Sequence, residues 1–596
     1  MVEKATSHRD ILNRRQFVGL VGVSGAAALA GCTFGNNGGD GGGGENGRHT
    51  SYTNIIPKNM QWNPSNPSKL AEISGQVLFD AFAKYNFATS EFKPYAISDW
   101  EYGGNTFKMT IRDGLTWANG DDVTSADVAT QLRIGLHTGE TYADYTDSIE
   151  TPDDKTVVMK FNSTINKKIV QFQILSGRFV RQKKSVFGEY LEKIKKNKKE
   201  GIRELQEFAW QEPIASGPFE FDSAGQQQLL LTLRDDHPDS KKINFGEYVF
   251  VYKDGNEAVQ QALQNQTIDS AFSLFMPTRI VEELPDSVKQ IQLPGNWGYG
   301  LVPNHSHRHA GDRAVRQAIQ YVINRKQVMN NVSADSKQVP EIPIGIASSN
   351  QKQWLGDAMS SFETYGVDSS QTKKAAAVLK EAGYSKQGGT WTDKDGTAVK
   401  LPILVPSDWT DWNTATQTIV DQLTSFGFEA TVDGRSFGNL QGNIWPNGDY
   451  AISAGGWLDG APQGAYPYFS LHHQLVKNFR GFTYNYPAAD QSRGGSRNDV
   501  TVPSRTGSGT MTVNPSKRLN EMATNTEEAK IKEIVVEQAW VTNQDLPMIP
   551  VLEKLEQTFL TAGDKWDIPK PDADVAQVRW ANTWLPRMGE MKYTGN

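Results

Sequence analysis

Residues 107–128 read FKMTIRDGLTWANGDDVTSADV, and this stretch decides the fold. Phe107, Met109 and Ile111 alternate with polar residues, which is the two-residue period of a half-buried strand. Thr124 follows as a predicted helix N-cap, with Asp127 at the third helical position. A strand, a turn and a capped helix in this order predict mixed α/β organisation.

The same alternation of helices and strands continues along the chain. Apolar periodicity predicts a helix that starts near Asp312, a second over 374–382 and a third over 414–426. The third leads into a predicted strand over 428–432. Residues 484–516 are polar and rich in Gly, Ser and Pro, and they predict a long loop.

The N terminus has the layout of a lipoprotein leader. Arg14 and Arg15 precede an apolar run over 17–30 that is too short to cross a bilayer, and Cys32 follows that run. The arginine pair resembles a twin-arginine export signal. The small residues before Cys32 resemble a lipobox, where the leader is cut and the thiol is acylated.

This leader predicts a lipid-anchored protein on the outer face of the cell membrane. We expect residues 1–31 to be removed as a signal peptide, and the Gly-rich residues 32–48 to form a flexible tether. Cys32 is the chain's one cysteine, so the folded part must be stable without a disulfide.

The charge balance bears on the partners. The chain carries 61 Lys and Arg against 68 Asp and Glu, a net charge of −7, which argues against nucleic acid as a partner. Residues 178–203 are locally basic but lack interleaved aromatic residues. They are predicted to form a solvated helix face.

Five motifs follow one another over most of the chain. They are FKMTIRDGLTW with its following helix cap at 107–128, SGPF at 216–219, RAVRQAI at 313–319, LKEAGY at 379–384 with the downstream Trp391 and Asp395-Gly396, and DYAISAGGW at 449–457. In this order they resemble the family 5 extracellular solute-binding proteins, the peptide and nickel receptors of ABC importers.

The resemblance implies a two-lobed, periplasmic-binding-protein-like α/β fold whose hinged lobes enclose a small-molecule ligand. It implies a monomeric receptor that delivers its ligand to the permease subunits of an ABC importer, without a cofactor and without enzymatic activity. The boundaries that it implies are 49–84, 210–295 and 546–596 for lobe I, 85–209 for a small subdomain of that lobe, and 296–545 for lobe II.

The motif that ends in Trp457 carries the first candidate ligand contacts. Gly455 and Gly456 allow close approach of the backbone, so the Trp457 ring is expected at the cleft edge. In peptide-binding relatives, an acid three residues after this tryptophan receives the α-ammonium group of the peptide. Here that position is Gly460, and we expect the role to fall to Asp459.

A second cluster contains Trp409, Asp411 and Trp412. Flat aromatic faces beside carboxylates suit sugar rings, and they also suit the apolar side chains of peptides. A structural turn with Trp409 in the core is the other interpretation. The sequence therefore predicts oligopeptide or dipeptide ligands first, and oligosaccharides as the alternative.

Two further kinds of site were weighed. His305, His307 and His309 alternate as metal ligands can, but they are predicted to lie in a solvated loop, and no metal site is assigned. A secreted hydrolase is the remote alternative, because the sequence after the leader has no Gly-x-Ser-x-Gly elbow and no His-Glu-x-x-His motif.

Overall fold

The computed structural model describes residues 47–272, 275–476, 481–486 and 499–595. The predictions on Arg14, Arg15, Cys32 and nearly all of the tether lie outside the described residues. The strands in chain order are β1 Arg48–Thr53, β2 Ala83–Asn86, β3 Glu91–Pro94, β4 Ile97–Tyr102, β5 Thr106–Ile111, β6 Thr146–Glu150, β7 Thr156–Phe161, β8 Phe219–Ala224, β9 Gln228–Leu233, β10 Glu247–Tyr252, β11 Ser270–Phe272, β12 Val288–Pro303, β13 Lys337–Gln338, β14 Ser385–Gln387, β15 Thr390–Thr392, β16 Lys400–Pro406, β17 Glu429–Arg435, β18 Ile452–Gly455, β19 Val500–Pro503, β20 Thr510–Val513, β21 Ile549–Thr561, β22 Trp566–Asp567 and β23 Lys592–Tyr593.

Helices alternate with these strands and confirm the mixed α/β class. They are α1 Glu72–Leu78, α2 Ser125–Thr138, α3 Lys167–Ile174, α4 Lys184–Lys196, α5 Lys198–Glu207, α6 Gly255–Gln264, α7 Thr278–Glu282, α8 Arg313–Val322, α9 Arg325–Val332, α10 Ser348–Leu355, α11 Thr372–Glu381, α12 Thr410–Phe426, α13 Phe437–Asn439, α14 Trp445–Asn447, α15 Pro467–Leu475, α16 Pro515–Thr524, α17 Glu528–Asp545 and α18 Ala581–Met588.

Three of the seven sheets among the described residues have four or more strands. One has the strand order β1-β10-β9-β8, and an antiparallel one has the order β4-β5-β7-β6. The third runs β11-β21-β12-β18-β16-β17, with β13 paired to β21. Its central strands β12 and β21 are long and pair in antiparallel direction. The strand β11 lies on the outer side of β21, and β18, β16 and β17 follow on the outer side of β12.

The β12–β21 ladder is irregular near its middle. Its register shifts between Pro294 and Gly298 and again between Tyr299 and Gly300. A Cβ atom on Gly298 would lie 1.9 Å from the carbonyl oxygen of Leu552, so the two strands approach too closely there for a side chain.

The elements predicted from residues 107–128 are confirmed. β5 covers the alternating segment, and its Phe107, Met109 and Ile111 are buried. The helix α2 begins after Thr124 with the predicted capping box, in which Asp127 Oδ2 accepts from the backbone N–H of Thr124 at 3.0 Å. The α8 cap is confirmed too, because Asp312 accepts from the N–H of Ala314 at 2.8 Å.

Two predictions of local structure are wrong. The helix expected over 414–426 begins at Thr410, because the Trp412 ring is buried against Tyr299 and Trp297 and this packing extends the helix by a turn. The loop expected over 484–516 contains the antiparallel hairpin of β19 and β20.

Candidate functional site

A cavity of about 970 Å³ lies between two walls of the protein. The first wall comprises residues of α2 and of the segments 140–145, 165–169 and 173–182, together with Pro64, Ser65 and Gln206. The second comprises Asp459, Gln463 and the residues of α15 that face the cavity, with Asn520 and Ala523 of α16 at its edge. Its volume is at the upper end of the range for small-molecule sites, which is about 300–1,000 Å³.

The two walls touch along one edge of the cavity. The backbone N–H of Asn166 donates to the carbonyl oxygen of Ala523 at 2.7 Å, and its Nδ2 donates to that of Asn525 at 3.1 Å. The Phe172 ring stacks on Tyr466, with 6.2 Å between their centroids. These polar and apolar contacts join the two sides next to Ala523, which lines the cavity.

Asp459 is the predicted ligand residue that lines the cavity. Its Oδ1 lies 2.9 Å from Nδ1 of His473, and its backbone N–H donates to Ser470 Oγ at 3.0 Å. Both partners belong to α15, so this helix fixes the position of the carboxylate. The Asp459 side chain stays partly exposed, which leaves it able to contact a solute.

Arg178 is held in the opposite wall by partners of its own. Its guanidinium pairs with the Glu140 carboxylate, and its Nε donates to the carbonyl oxygen of Gln173 at 3.1 Å. The same group lies over the Tyr142 ring, 4.7 Å from the centroid. Arg178 therefore serves to build the wall.

Arg181 lies three residues after Arg178, in a segment whose backbone is hydrogen-bonded by side chains of α2. Gln131 Oε1 accepts from the backbone N–H groups of Arg181 and Gln182, both at 3.4 Å, and Asp127 Oδ1 accepts from that of Lys184 at 2.8 Å. Burial is the main cause that lowers the pKa of the Arg181 guanidinium to about 10.

The prediction of a solvated helix face over 178–203 is wrong for the first part of that range. Arg178 and Arg181 line the cavity, and Lys183 is buried with its Nζ 2.7 Å from Asn119 Oδ1. The helices α4 and α5 begin only after these residues, and the remaining lysines of the range lie on them.

Trp457 lies in the core, and its ring does not border the cavity. Its side chain is 0% exposed, and Nε1 donates to the carbonyl oxygen of Leu552 at 3.0 Å. Gly300 leaves room for this ring, because a Cβ there would lie 3.0 Å from it. Neither face of the Trp457 ring is accessible to a ligand, so the structure does not support the expected position at the cleft edge.

Trp409, Asp411 and Trp412 lie together, away from the cavity residues. Asp411 Oδ2 accepts from Lys337 Nζ at 2.9 Å, and the Trp409 ring stacks on Phe437 with 4.7 Å between centroids. Trp412 is buried. Trp409 is partly exposed, so this cluster keeps one aromatic surface that a solute could reach.

The histidine segment is not a solvated loop. His305 is buried with Nε2 3.0 Å from the carbonyl oxygen of Pro547, and His309 Nε2 lies 3.1 Å from Asp393 Oδ2. Arg308 shares the Asp393 carboxylate. Within the described ranges, no three His, Cys, Asp or Glu side chains are grouped as they would be to hold a metal ion.

None of the helices in the described part of the chain is long and apolar enough to cross a bilayer.

A polar cavity of this size between two walls is an arrangement typical of proteins that bind a small solute. The family described as "Bacterial extracellular solute-binding proteins, family 5 Middle" matches residues 86–478. The chain belongs to this family.

A curated relative and two solved structures show how far the similarity extends. The probable peptide ABC transporter periplasmic-binding protein y4tO of Sinorhizobium fredii is 22% identical over 377 residues, which is 59% of this chain and 64% of that protein. The chain thus matches less than two thirds of the length of this relative.

The solved structures match over nearly their whole length. A mannohexaose-bound periplasmic oligopeptide-binding protein of Thermotoga maritima is 18% identical, with a TM-score of 0.68 over 92% of this chain and 98% of that one. The oligopeptide-binding protein AppA of Bacillus subtilis, in complex with a nonapeptide, is 15% identical, with a TM-score of 0.64 over 92% and 99%. At these identities the likeness shows the fold.

Proposed function

We propose that this protein is the extracytoplasmic receptor of an ABC importer, which captures a peptide-type solute between its two lobes and delivers it to membrane permease subunits. The observation that carries the proposal is the polar cavity between the two walls, with the Asp459 carboxylate in one of them. Family membership supports the transport role, and it favours a binding protein over a hydrolase.

Asp459 supports a peptide ligand. Its carboxylate is partly exposed at the cavity and held by α15, so it can receive the α-ammonium group of a peptide in a charge-assisted hydrogen bond. The name of the Sinorhizobium relative and the nonapeptide complex of AppA agree with this ligand class.

An oligosaccharide is the second candidate. The Thermotoga protein is described as an oligopeptide-binding protein and was solved with mannohexaose, so this fold accepts a sugar chain. The partly exposed Trp409 offers a stacking face of the kind that sugar rings use. This alternative places the ligand nearer the Trp409–Phe437 pair.

The lobe boundaries are part of the proposal. Lobe I comprises 49–84, 210–295 and 546–596, its subdomain 85–209, and lobe II 296–545. The crossing strands β12 and β21 support this division, because the boundaries at 295 and 546 fall within β12 and just before β21. The irregular register there suits a hinge.

The anchor and export route are proposed from the leader alone. Cys32 would carry the lipid and residues 33–48 would hold the folded part off the membrane. Arg14 and Arg15 would direct export in the folded state.

Native mass spectrometry of protein purified without refolding tests the receptor function. We expect a co-purified peptide, released on denaturation and exchangeable for an added random peptide pool. A protein that carries an oligosaccharide instead would establish the second candidate. Protein that binds neither class, or that turns over acyl, glycosyl or peptide substrates, would contradict the proposal.

A further inference from the structure

Arg181 differs from the other cations near the cavity in having no side-chain partner. Arg178 is paired with Glu140, whereas the Arg181 guanidinium donates no hydrogen bond to any residue that the structure describes. Glu72 and Glu140 act on it only through space. A guanidinium that is partly removed from water and left unpaired is costly unless another group completes it.

Two further polar residues that line the same cavity as Arg181 are also incomplete. Gln182 is 4% exposed and Ser176 is 7% exposed, and both belong to the cavity wall. Gln182 Nε2 and Ser176 Oγ have no hydrogen-bond partner among the described residues. Buried donors are normally satisfied, so two unpaired donors in the same cavity wall as an unpaired cation indicate a site for an external acceptor.

The acceptor that this group suits is a carboxylate. We propose that Arg181, with Gln182 and Ser176, binds a carboxylate of the transported solute, which for a peptide is the C-terminal or an acidic side-chain group. Guanidinium groups bind carboxylates through two parallel hydrogen bonds. Glu140, Asp144 and Asp459 also line the cavity, and their repulsion grows with the charge of the anion, so it disfavours a doubly charged phosphate more than a singly charged carboxylate.

This inference rests on the proposed peptide-receptor function and sharpens it. Asp459 and Arg181 lie in opposite walls of the cavity. A solute with an ammonium group at one end and a carboxylate at the other would bind both walls together, and it would therefore favour the closed arrangement of the lobes. A neutral oligosaccharide leaves Arg181 unpaired, so the site selects against neutral sugars.

The test compares two pools of random pentapeptides, one with free C-terminal carboxylates and one with C-terminal amides, against the natural protein and Arg181→Gln. We expect the free-acid pool to bind the natural protein at least about 30-fold more tightly than the amide pool, and Arg181→Gln to lose this preference. Arg181→Lys should recover only part of it, because an ammonium cannot form the bidentate pair. Arg279→Gln is the matched control, since Arg279 is 72% exposed and lies outside the cavity wall.

The melting temperature without peptide separates a binding role from a structural one. Because Arg181 has no partner to lose, Arg181→Gln should leave this temperature unchanged or raise it. Equal binding of both pools by both proteins, or a melting temperature that falls in step with affinity, would overturn the carboxylate site while leaving the receptor function intact. Failure of the natural protein to bind either pool would contradict the peptide-receptor function itself.

Discussion

The Asp459 carboxylate lies 2.9 Å from the Nδ1 atom of His473, and both residues line the cavity. His473 belongs to α15, as does Ser470, whose Oγ accepts from the backbone N–H of Asp459, so this helix holds both the carboxylate and the loop that carries it. This relationship makes Asp459 a fixed acidic group in a polar cavity, and it underlies the first prediction.

Asp459→Asn should weaken the binding of peptides that have a free amino terminus. The substitution keeps the size and the hydrogen-bonding capacity of the side chain but removes its charge. Loss of one partner of a fully buried charge pair costs about 2–5 kcal/mol, and because the Asp459 side chain is 29% exposed we expect a loss at the low end of this range, roughly 30-fold in affinity. Calorimetry measures the change, and Asp567→Asn at an exposed position of β22 serves as the control.

N-acetylated peptides provide the matched ligand for this test. They should bind the natural protein weakly, and Asp459→Asn should leave their affinity unchanged. If free and acetylated peptides bind equally well to both proteins, Asp459 does not receive the amino terminus.

Trp457→Phe should lower stability and leave affinity unchanged. The Trp457 ring is fully buried, and the substitution leaves the carbonyl oxygen of Leu552 without its donor. An unsatisfied buried acceptor costs about 1–3 kcal/mol. Chemical denaturation should show this loss, while Trp100→Phe at a partly exposed position should show a smaller one. Reduced affinity with unchanged stability would instead indicate that Trp457 contacts the ligand.

Gly298→Ala should destabilise the protein at the crossing of β12 and β21. The added Cβ would lie 1.9 Å from the Leu552 carbonyl oxygen, so the strands would have to separate. Overpacking of this kind costs about 1–3 kcal/mol. Gly438→Ala is the control, because a Cβ there meets no atom within 4 Å. Equal melting temperatures for the two variants would contradict this prediction, because they would show that β12 and β21 can separate locally without a loss in the free energy of unfolding.

The free energy of unfolding should fall in acid because His49 and His305 are buried in their neutral form. Burial lowers the pKa of His49 to about 4 and that of His305 to about 3. In the unfolded chain both titrate near pH 6.5, so between that pH and about 4 the unfolded state binds more protons than the folded state. The contribution of these two histidines to the free energy of unfolding is therefore fully present above pH 6.5, and it is lost as the pH falls below that value. Each histidine contributes up to about 1.4 kcal/mol per pH unit.

Urea denaturation at several pH values measures this slope. The His49→Gln and His305→Gln variants should each have a shallower dependence over the same window, whatever their stability at neutral pH. A slope that neither substitution reduces would assign the acid sensitivity to other groups.

Cys32→Ser should release the protein from the membrane if Cys32 carries the lipid. The proposed acyl group is the hydrophobic attachment that the substitution removes. Fractionation of cells that express the variant measures the effect, and a Thr33→Ser variant is the neighbouring control. Unchanged membrane association would contradict the lipid anchor.

The sequence predicted the elements whose signals are local. The alternation in β5 and the Thr124–Asp127 cap of α2 involve neighbouring residues, so the pattern alone identified them. The start of α12 was missed because it depends on contacts of Trp412 with Trp297 and Tyr299, which lie more than 100 positions earlier.

The candidate site was predictable in part for the same reason. Asp459 could be found because it follows the Gly-Gly-Trp motif. Arg181 was missed because it is one of several basic residues in sequence, and its environment depends on Gln131, fifty positions earlier. The basic run over 178–203 predicted Arg178 and Arg181 on the same helix face as the lysines, whereas α4 begins only at Lys184.

A crystal structure of the protein with the solute that it retains on purification tests the central claim most directly. We predict solute density in the cavity between α15 and the segment 173–182, with an ammonium group at Asp459 and a carboxylate at Arg181. Density elsewhere, such as a sugar stacked on Trp409 and Phe437 with the cavity empty, would contradict the account.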